Sequence, residues 1–143
     1  MSNDKWQIYI DGGARGNPGP AAAGVVIYSP QGSIIKQSGK YLGKTTNNLA
    51  EYQGAILGLT ELRNLIGRAK AKKIIVRIKS DSELLVKQIN HQYKIKNENL
   101  IPYFIKLWNL ILDFKEVNFI HIPRSENKLA DQMVNKTLNE EGY

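Results

Sequence analysis

From Lys5 onward apolar and polar residues alternate: Trp6, Ile8 and Ile10 are interleaved with Lys5, Gln7 and Tyr9. A period of two marks a strand with one buried face and predicts a strand over residues 5–13. Residues 21–28 are apolar and β-branched and read as a second strand. Beyond the Pro30-Gln31-Gly32 turn, residues 33–42 read as a third. The short connections make these three an antiparallel meander. The period then changes. Tyr52, Ala55, Ile56, Leu59, Leu62 and Ile66 recur at helical spacing after Thr45-Thr46-Asn47-Asn48, and Gly67 supplies a stop. Asn48-Leu49-Ala50-Glu51 fits a capping box with Asn48 as the cap. Arg68, Lys70, Lys72 and Lys73 fall on a connection to residues 74–78, whose near-continuous apolar run suits a buried parallel strand.

Ser80-Asp81-Ser82-Glu83 caps a short helix carrying Leu84, Leu85, Val86 and Ile89, and residues 92–99 form a polar, basic link. Pro102 stands in the first turn of the next helix, where Trp108 reads as core from its spacing to Phe104 and Ile111. Residues 117–122 form the fifth strand. Pro123-Arg124-Ser125-Glu126-Asn127 opens a last helix with Leu129, Ala130, Met133, Val134 and Leu138. The order β-β-β-α-β-α-α-β-α predicts an α/β fold: a mixed five-stranded sheet, its first three strands antiparallel and its last two parallel to the first, flanked by helices.

Composition narrows the chemistry. A chain of 143 residues suits one domain spanning 1–143. No apolar run is long enough to cross a bilayer, and Met1-Ser2-Asn3-Asp4-Lys5 leads into the first strand without a signal peptide, so a cytoplasmic protein is expected. Cysteine is absent and only His91 and His121 are present, which excludes disulfides, Cys-ligated zinc and a His-rich metal site. Any metal is then held by oxygen, which favours magnesium, manganese or calcium. The net charge of +7 suits a polyanionic partner, although a solvated basic surface has the same signature.

Asp11 ends an apolar strand and is followed by Gly12 and Gly13, which lack a Cβ and let a ligand or another backbone come close. That arrangement can hold a cation against a phosphate; it is equally that of a strand-ending acid bonding its own turn. Three more acids stand where elements begin: Glu51 in the first turn of the long helix, Asp81 after the buried fourth strand, and Asp131 early in the last helix. Each is explained singly by the preference for negative charge at a helix N-terminus. Together they converge on the carboxyl ends of the parallel strands, where open sheets bind ligands. Four acids gathered there repel one another unless cations bind.

The runs Tyr9-Ile10-Asp11-Gly12-Gly13, Gly16-Asn17-Pro18-Gly19-Pro20, Thr45-Thr46-Asn47-Asn48-Leu49-Ala50-Glu51, Ser80-Asp81-Ser82 and Glu126-Asn127-Lys128-Leu129-Ala130-Asp131 together resemble type-1 ribonuclease H, in order over essentially the whole chain. The resemblance implies the ribonuclease H-like fold and hydrolysis of the RNA strand of RNA–DNA hybrids, leaving a 5′-phosphate and a 3′-hydroxyl. It places the family's metal-binding acids on Asp11, Glu51, Asp81 and Asp131, holding two Mg²⁺ ions, with Mn²⁺ as a substitute. By the same resemblance Asp11 bridges both ions, Asp131 completes the nucleophile side, and Glu51 and Asp81 complete the other. Gly12, Gly13, Asn17 and Asn47 match positions that face the hybrid's minor groove, and Thr46 one that binds a DNA-strand phosphate. A monomer is expected. Double-stranded RNA is left open as a second substrate, because its shallow minor groove is also rich in 2′-hydroxyls.

Three departures from the family pattern stand out. His121, ten residues before Asp131, matches the mobile His that aids product release in some members, but it lies inside a strand. Arg124 lies in the loop and takes that catalytic role here by similarity to compact members. The basic handle that many members insert after the Asp81 helix is missing, leaving only residues 92–99 with Lys94 and Lys96. Glu83 stands where some members carry an amide.

Overall fold

The computed structural model describes residues 5–143, so the N-terminal reading of Met1 to Asp4 lies outside the described residues. Five strands form one sheet: β1 (Lys5–Ala14), β2 (Gly19–Tyr28), β3 (Ile34–Thr45), β4 (Ile75–Ser80) and β5 (Glu116–His121). Their order is β3-β2-β1-β4-β5. β1 pairs antiparallel with β2, and β2 with β3, whereas β4 lies parallel to β1 and β5 parallel to β4. The mixed sheet expected from the element order is the one observed. The central position of β1 follows from its neighbours: a hairpin holds it on one side and a helical crossover brings β4 to the other.

Helix α1 (Asn47–Ile66) ends at Gly67, whose φ of 88° is a left-handed conformation that glycine adopts without Cβ strain. The cationic connection is not irregular throughout: Arg68–Ala71 forms one helical turn, α2, with Lys70 Nζ 5.4 Å from the centre of the Trp6 ring. Helices α3 (Glu83–Ile89), α4 (Ile101–Ile111) and α5 (Lys128–Glu140) follow.

The pleat sorts the sheet into two faces. Ile8 and Ile10 of β1, with Val25 and Ile27 of β2, pack against Ala55, Leu59 and Leu62 of α1 in the main core. The opposite face is smaller: Ala22 packs with Val134 and Leu138 of α5. Helix α5 lies close to β2 because Gly24 has no side chain; a Cβ there would stand 2.3 Å from the carbonyl oxygen of Ala130.

Two core assignments are corrected. Trp108 is 51% exposed, as are Ile101 and Ile105 on α4 and Leu112 just after it, and the buried side of that helix is Leu107 and Leu110. Leu129 at the start of α5 is also exposed, while Ala130, Val134 and Leu138 are buried.

Candidate active site

The ladder between β1 and β4 ends with Ile10 opposite Ser80. The next residue of each parallel strand is an acid, so Asp11 and Asp81 emerge side by side beyond the last pair. Glu51 reaches them from α1. Gly12 permits this: a Cβ there would meet the Ala50 carbonyl carbon at 2.3 Å and Glu51 N at 2.4 Å. The strand and the helix backbone at Ala50 and Glu51 therefore touch directly; Glu51 lies beyond the first turn of α1, which holds no acid, a correction to its expected place. Carboxylate oxygens of Asp11, Glu51 and Asp81 all lie within 4.8 Å of one another. Asp131, on α5 across the sheet, completes the lining of the same cleft of about 410 Å³, and its charge adds to the rise in the Asp11 pKa.

Asp11 and Glu51 are each only 7% exposed. Burial, then the charge of Asp81, raises the Asp11 carboxyl from 3.8 to about 7. Burial and the charges of Asp11 and Asp81 also push Glu51 well above the usual carboxylate range, against the lowering effect of the Gly12 N–H. Among the described residues none of the four acids forms an ion pair with a side-chain cation.

Neutral groups hold the acids in place. The backbone N–H of Gly12 donates to Glu51 Oε1 at 2.9 Å, and Ser80 Oγ donates to Glu51 Oε2 at 3.4 Å. Ser80, fully buried, also accepts the N–H of Ser82 at 3.0 Å. Asn127 Nδ2 donates to the Ile10 carbonyl at 2.8 Å and to Asp81 Oδ2 at 3.2 Å. Asn127 is 1% exposed, and its own Oδ1 has no hydrogen-bond partner among the described residues. Ser80 and Asn127 are supports that sequence reasoning did not single out. Asn127 stood inside the Glu126–Asp131 run, but its partner Ile10 is 117 residues away.

The capping box is a correction. Thr46 caps α1, its Oγ1 accepting the N–H of Leu49 at 3.3 Å, and Asn48 lies inside the helix. Glu51 therefore does not return to the Asn48 backbone; its carboxylate faces Gly12 and Ser80. Asn47 and Asn17 stitch the β1–β2 turn to the helix start: Asn47 Oδ1 accepts from Ala14 N at 2.8 Å, and Asn17 Oδ1 from Asn47 N at 3.0 Å. Gly12, Gly13 and Asn47 line the cleft. Arg124, in a single 3₁₀ turn after β5, lines it as well, whereas His121 ends β5 opposite Ser80 and is absent from the lining. Glu83 is exposed and lies 3.7 Å from Lys87, outside the cleft.

The donor set fits a hard divalent cation: buried and half-buried carboxylates, mutually repelling, oriented by neutral groups and, among the described residues, uncompensated by a side-chain cation. Asp11, Glu51 and Asp81 are the residues close enough to share one ion.

Comparison with known proteins agrees with this arrangement. Residues 9–137 match the model of the reverse transcriptase-like family. A bifunctional protein of Mycobacterium tuberculosis is 35% identical over 133 residues, covering 92% of this chain and 35% of that protein. Ribonuclease HI of Halobacterium salinarum is 33% identical over 132 residues, covering 92% of this chain and 63% of the relative. The chain thus spans well under two thirds of the mycobacterial relative's length and slightly under two thirds of the archaeal one's. The crystal structure of RNase H1 from Halobacterium salinarum superposes with a TM-score of 0.87 at 31% identity, covering 95% of this chain and 98% of that one. An RNase H1 isolated from compost, solved in complex with an RNA/DNA hybrid, gives a TM-score of 0.89 at 39% identity with 95% and 98% coverage. The chain belongs to the reverse transcriptase-like family and, within it, to the type-1 ribonucleases H.

Proposed function

We propose that the protein is an endonuclease that hydrolyses the RNA strand of RNA–DNA hybrids, leaving a 5′-phosphate and a 3′-hydroxyl. The observation that carries this reading is the set of three carboxylates, two buried and one half-buried, within 4.8 Å of one another where the parallel β1–β4 ladder ends, with no side-chain cation paired to them among the described residues. The relatives named ribonuclease H, one of them solved with an RNA/DNA hybrid, supply the substrate class.

Asp11, Glu51 and Asp81 are the residues to hold one Mg²⁺, and Asp11 with Asp131 a second, with Mn²⁺ as a substitute. When bound, the ions supply Lewis-acid activation of water and balance the charge that builds on the departing oxygen. The chain's own groups do the remaining work. Gly12, Gly13, Asn17 and Asn47 present backbone and amide groups to sugars without reading sequence, and Thr46 meets a phosphate of the DNA strand. Glu51 accepts a ribose 2′-hydroxyl, the group by which RNA differs from DNA. Arg124, exposed at the cleft mouth, attracts the phosphate product and helps it leave. The protein acts as a monomer in the cytoplasm.

The test is cleavage of one end-labelled sequence presented as RNA–DNA hybrid, RNA duplex, DNA duplex and single-stranded RNA, with Mg²⁺, with Mn²⁺ and with chelator. Metal-dependent cutting of the hybrid's RNA strand, lost in Asp81→Asn, is the expected result. Equal cutting of duplex RNA widens the substrate class. Metal-independent hybrid binding without cutting, unchanged by Asp81→Asn, overturns the reading in favour of a binding module.

A further inference from the structure

We propose that a second nucleic-acid site lies on the sheet face behind the Arg124 loop, taking one unpaired base of a single strand against Tyr9 and Tyr28 and the flanking phosphates on Arg77, Lys79 and Lys128. This site is separate from the hybrid-cutting cleft and does not depend on that activity. The pleat builds the face. Ile8 and Ile78 belong to the main core, so Gln7, Tyr9, Arg77 and Lys79 stand on the other side of the sheet, Gln7 opposite Arg77 and Tyr9 opposite Lys79. Tyr28 of β2 is opposite Gln7. Helix α5 packs over β1, β2 and β3. On β4 and β5 that side stays half open: Arg77, Lys79, Asn118 and Ile120 are half-buried, whereas Ile78 and Phe119, in the main core, are buried.

The start of α5 roofs part of this face. A cavity of about 180 Å³ is lined by Tyr9 and Tyr28 from the sheet and by Ser125, Lys128 and Leu129 from the chain entering α5. That is below the roughly 300–1,000 Å³ of a pocket for a whole small-molecule ligand and suits a single base. The cavity shares no lining residue with the catalytic cleft: Arg124 lines the cleft, whereas residues 125–130 line the cavity. The two tyrosines meet edge to face, with ring centres 5.4 Å apart at 66°, so each ring is held before anything binds. Lys79 Nζ lies 5.2 Å from the centre of the Tyr9 ring and donates to Tyr9 Oη at 3.3 Å. Those partners are uncharged, and none of the three ion pairs among the described residues includes Arg77, Lys79 or Lys128. Glu126, exposed at the cavity, and Glu116, at the far end of β5, oppose these cations. Fixed aromatic rings set among cations with charge to spare are the chemistry that binds a single strand without reading its sequence, the base stacking and the phosphates pairing. Arg77 and Lys79 stand two residues apart, ~6.6 Å along β4, and can serve successive phosphates. A duplex has no unpaired base to offer the cavity.

The experiment uses the full chain in chelator, so that no RNA is cut. Fluorescence anisotropy of end-labelled oligo(dT) and oligo(rU) is titrated against salt for wild type, Tyr28→Ala, Tyr28→Phe and Arg77→Gln. Tyr28→Ala is expected to bind about tenfold more weakly, while Tyr28→Phe keeps the stacking surface and the affinity. Arg77→Gln is expected to lower the slope of log affinity against log salt by roughly 0.7, the share of one single-strand phosphate. Excess unlabelled oligo(dT) should displace the label, whereas an equal excess of blunt RNA–DNA hybrid should not. Binding of either oligomer with these losses supports the site, and the two arms tell whether DNA or RNA is preferred. The proposal is overturned if neither oligomer binds, if the hybrid displaces the label as well as oligo(dT) does, or if Tyr28→Ala and Arg77→Gln melt as wild type and bind unchanged. Should Tyr28→Ala fail to fold, the salt slope of Arg77→Gln decides alone. Cleavage of a blunt hybrid in Mg²⁺ is a separate readout: if wild type does not cut it, the nuclease reading fails while the single-strand site stands or falls on the anisotropy.

Discussion

Replacing Asp11 by Asn should stabilise the metal-free protein at neutral and alkaline pH, and do so less as the pH falls. Asp11 ionises near 3.8 in an unfolded chain and at about 7 in the fold, because burial and the charge of Asp81 disfavour its carboxylate. Between those values the folded protein holds a proton that the unfolded chain has released. The group's contribution to stability is therefore fully present below the unfolded value and is lost as pH rises through the folded one. A shift of about three units corresponds to roughly 4 kcal/mol once Asp11 is fully ionised, and roughly 2–3 kcal/mol of it is lost between about pH 5 and about pH 8. Asn has the shape of the protonated carboxyl and no charge, so the variant does not share that loss. The assay is thermal unfolding of both proteins in chelator across this range. The melting temperature of Asp11→Asn minus that of wild type should grow by about 6–10 °C from about pH 5 to about pH 8. Excess Mg²⁺ should reverse the order, since an ion that binds only the folded acid cluster stabilises wild type. A difference that stays flat with pH in chelator would refute the electrostatic account of the cluster.

Four further substitutions probe how the site is built. Gly12→Ala forces a Cβ against the Ala50 carbonyl carbon and should cost about 3 kcal/mol or more, with loss of Mg²⁺-induced stabilisation; calorimetry with and without Mg²⁺ measures both. Asn127→Ala leaves the Ile10 carbonyl unpaired and Asp81 untethered, which should cost about 1–3 kcal/mol by urea unfolding and weaken Mg²⁺ binding. Thr46→Ala removes the helix cap and should cost about 1 kcal/mol, whereas exposed Asn48→Ala should stay within about 0.5 kcal/mol; equal losses would restore the capping box.

The capping box and the burial of Trp108 failed where sequence carries a local tie that tertiary contacts break. The run Thr45-Thr46-Asn47-Asn48 offers four residues able to cap a helix, and spacing to Glu51 favoured Asn48. The choice falls on Thr46 because Asn47 is bonded to Ala14 and Asn17, which fixes where the chain turns into α1. Helix α4 is apolar on more than one side: Ile101, Ile105, Trp108 and Leu112 form one stripe and Leu107 with Leu110 another. Periodicity detects both stripes and cannot say which meets the sheet. The strand pattern carried no such tie. In β1 only one register buries Ile8 and Ile10; Asp11 then follows the last pair of the β1–β4 ladder, while β1 itself runs on to Ala14 beside β2, and the meander and crossover place Asp81 beside it. Ser80 and Asn127 were invisible for another reason. A buried Ser or Asn gives no periodic signal, and the atoms they hold belong to residues far away in the chain.

The acids are held by neutral donors, and that choice has a consequence. A Lys or Arg placed among Asp11, Glu51 and Asp81 would relieve their repulsion and stabilise the empty fold. It would also occupy the position a divalent ion needs and spend the charge that attracts one. The Gly12 N–H, the Ser80 hydroxyl and the Asn127 amide orient Glu51 and Asp81 without neutralising them. Arg124 lines the same cleft and, among the described residues, pairs with none of the acids, so its charge stays available to a ligand. Positive and negative charge are thus kept apart in one cleft of about 410 Å³. Only a ligand that brings both a divalent cation and a phosphate balances the two sets together. The apo protein carries the repulsion as lost stability, and the close contacts at Gly12 and Gly24 keep the acids together despite it.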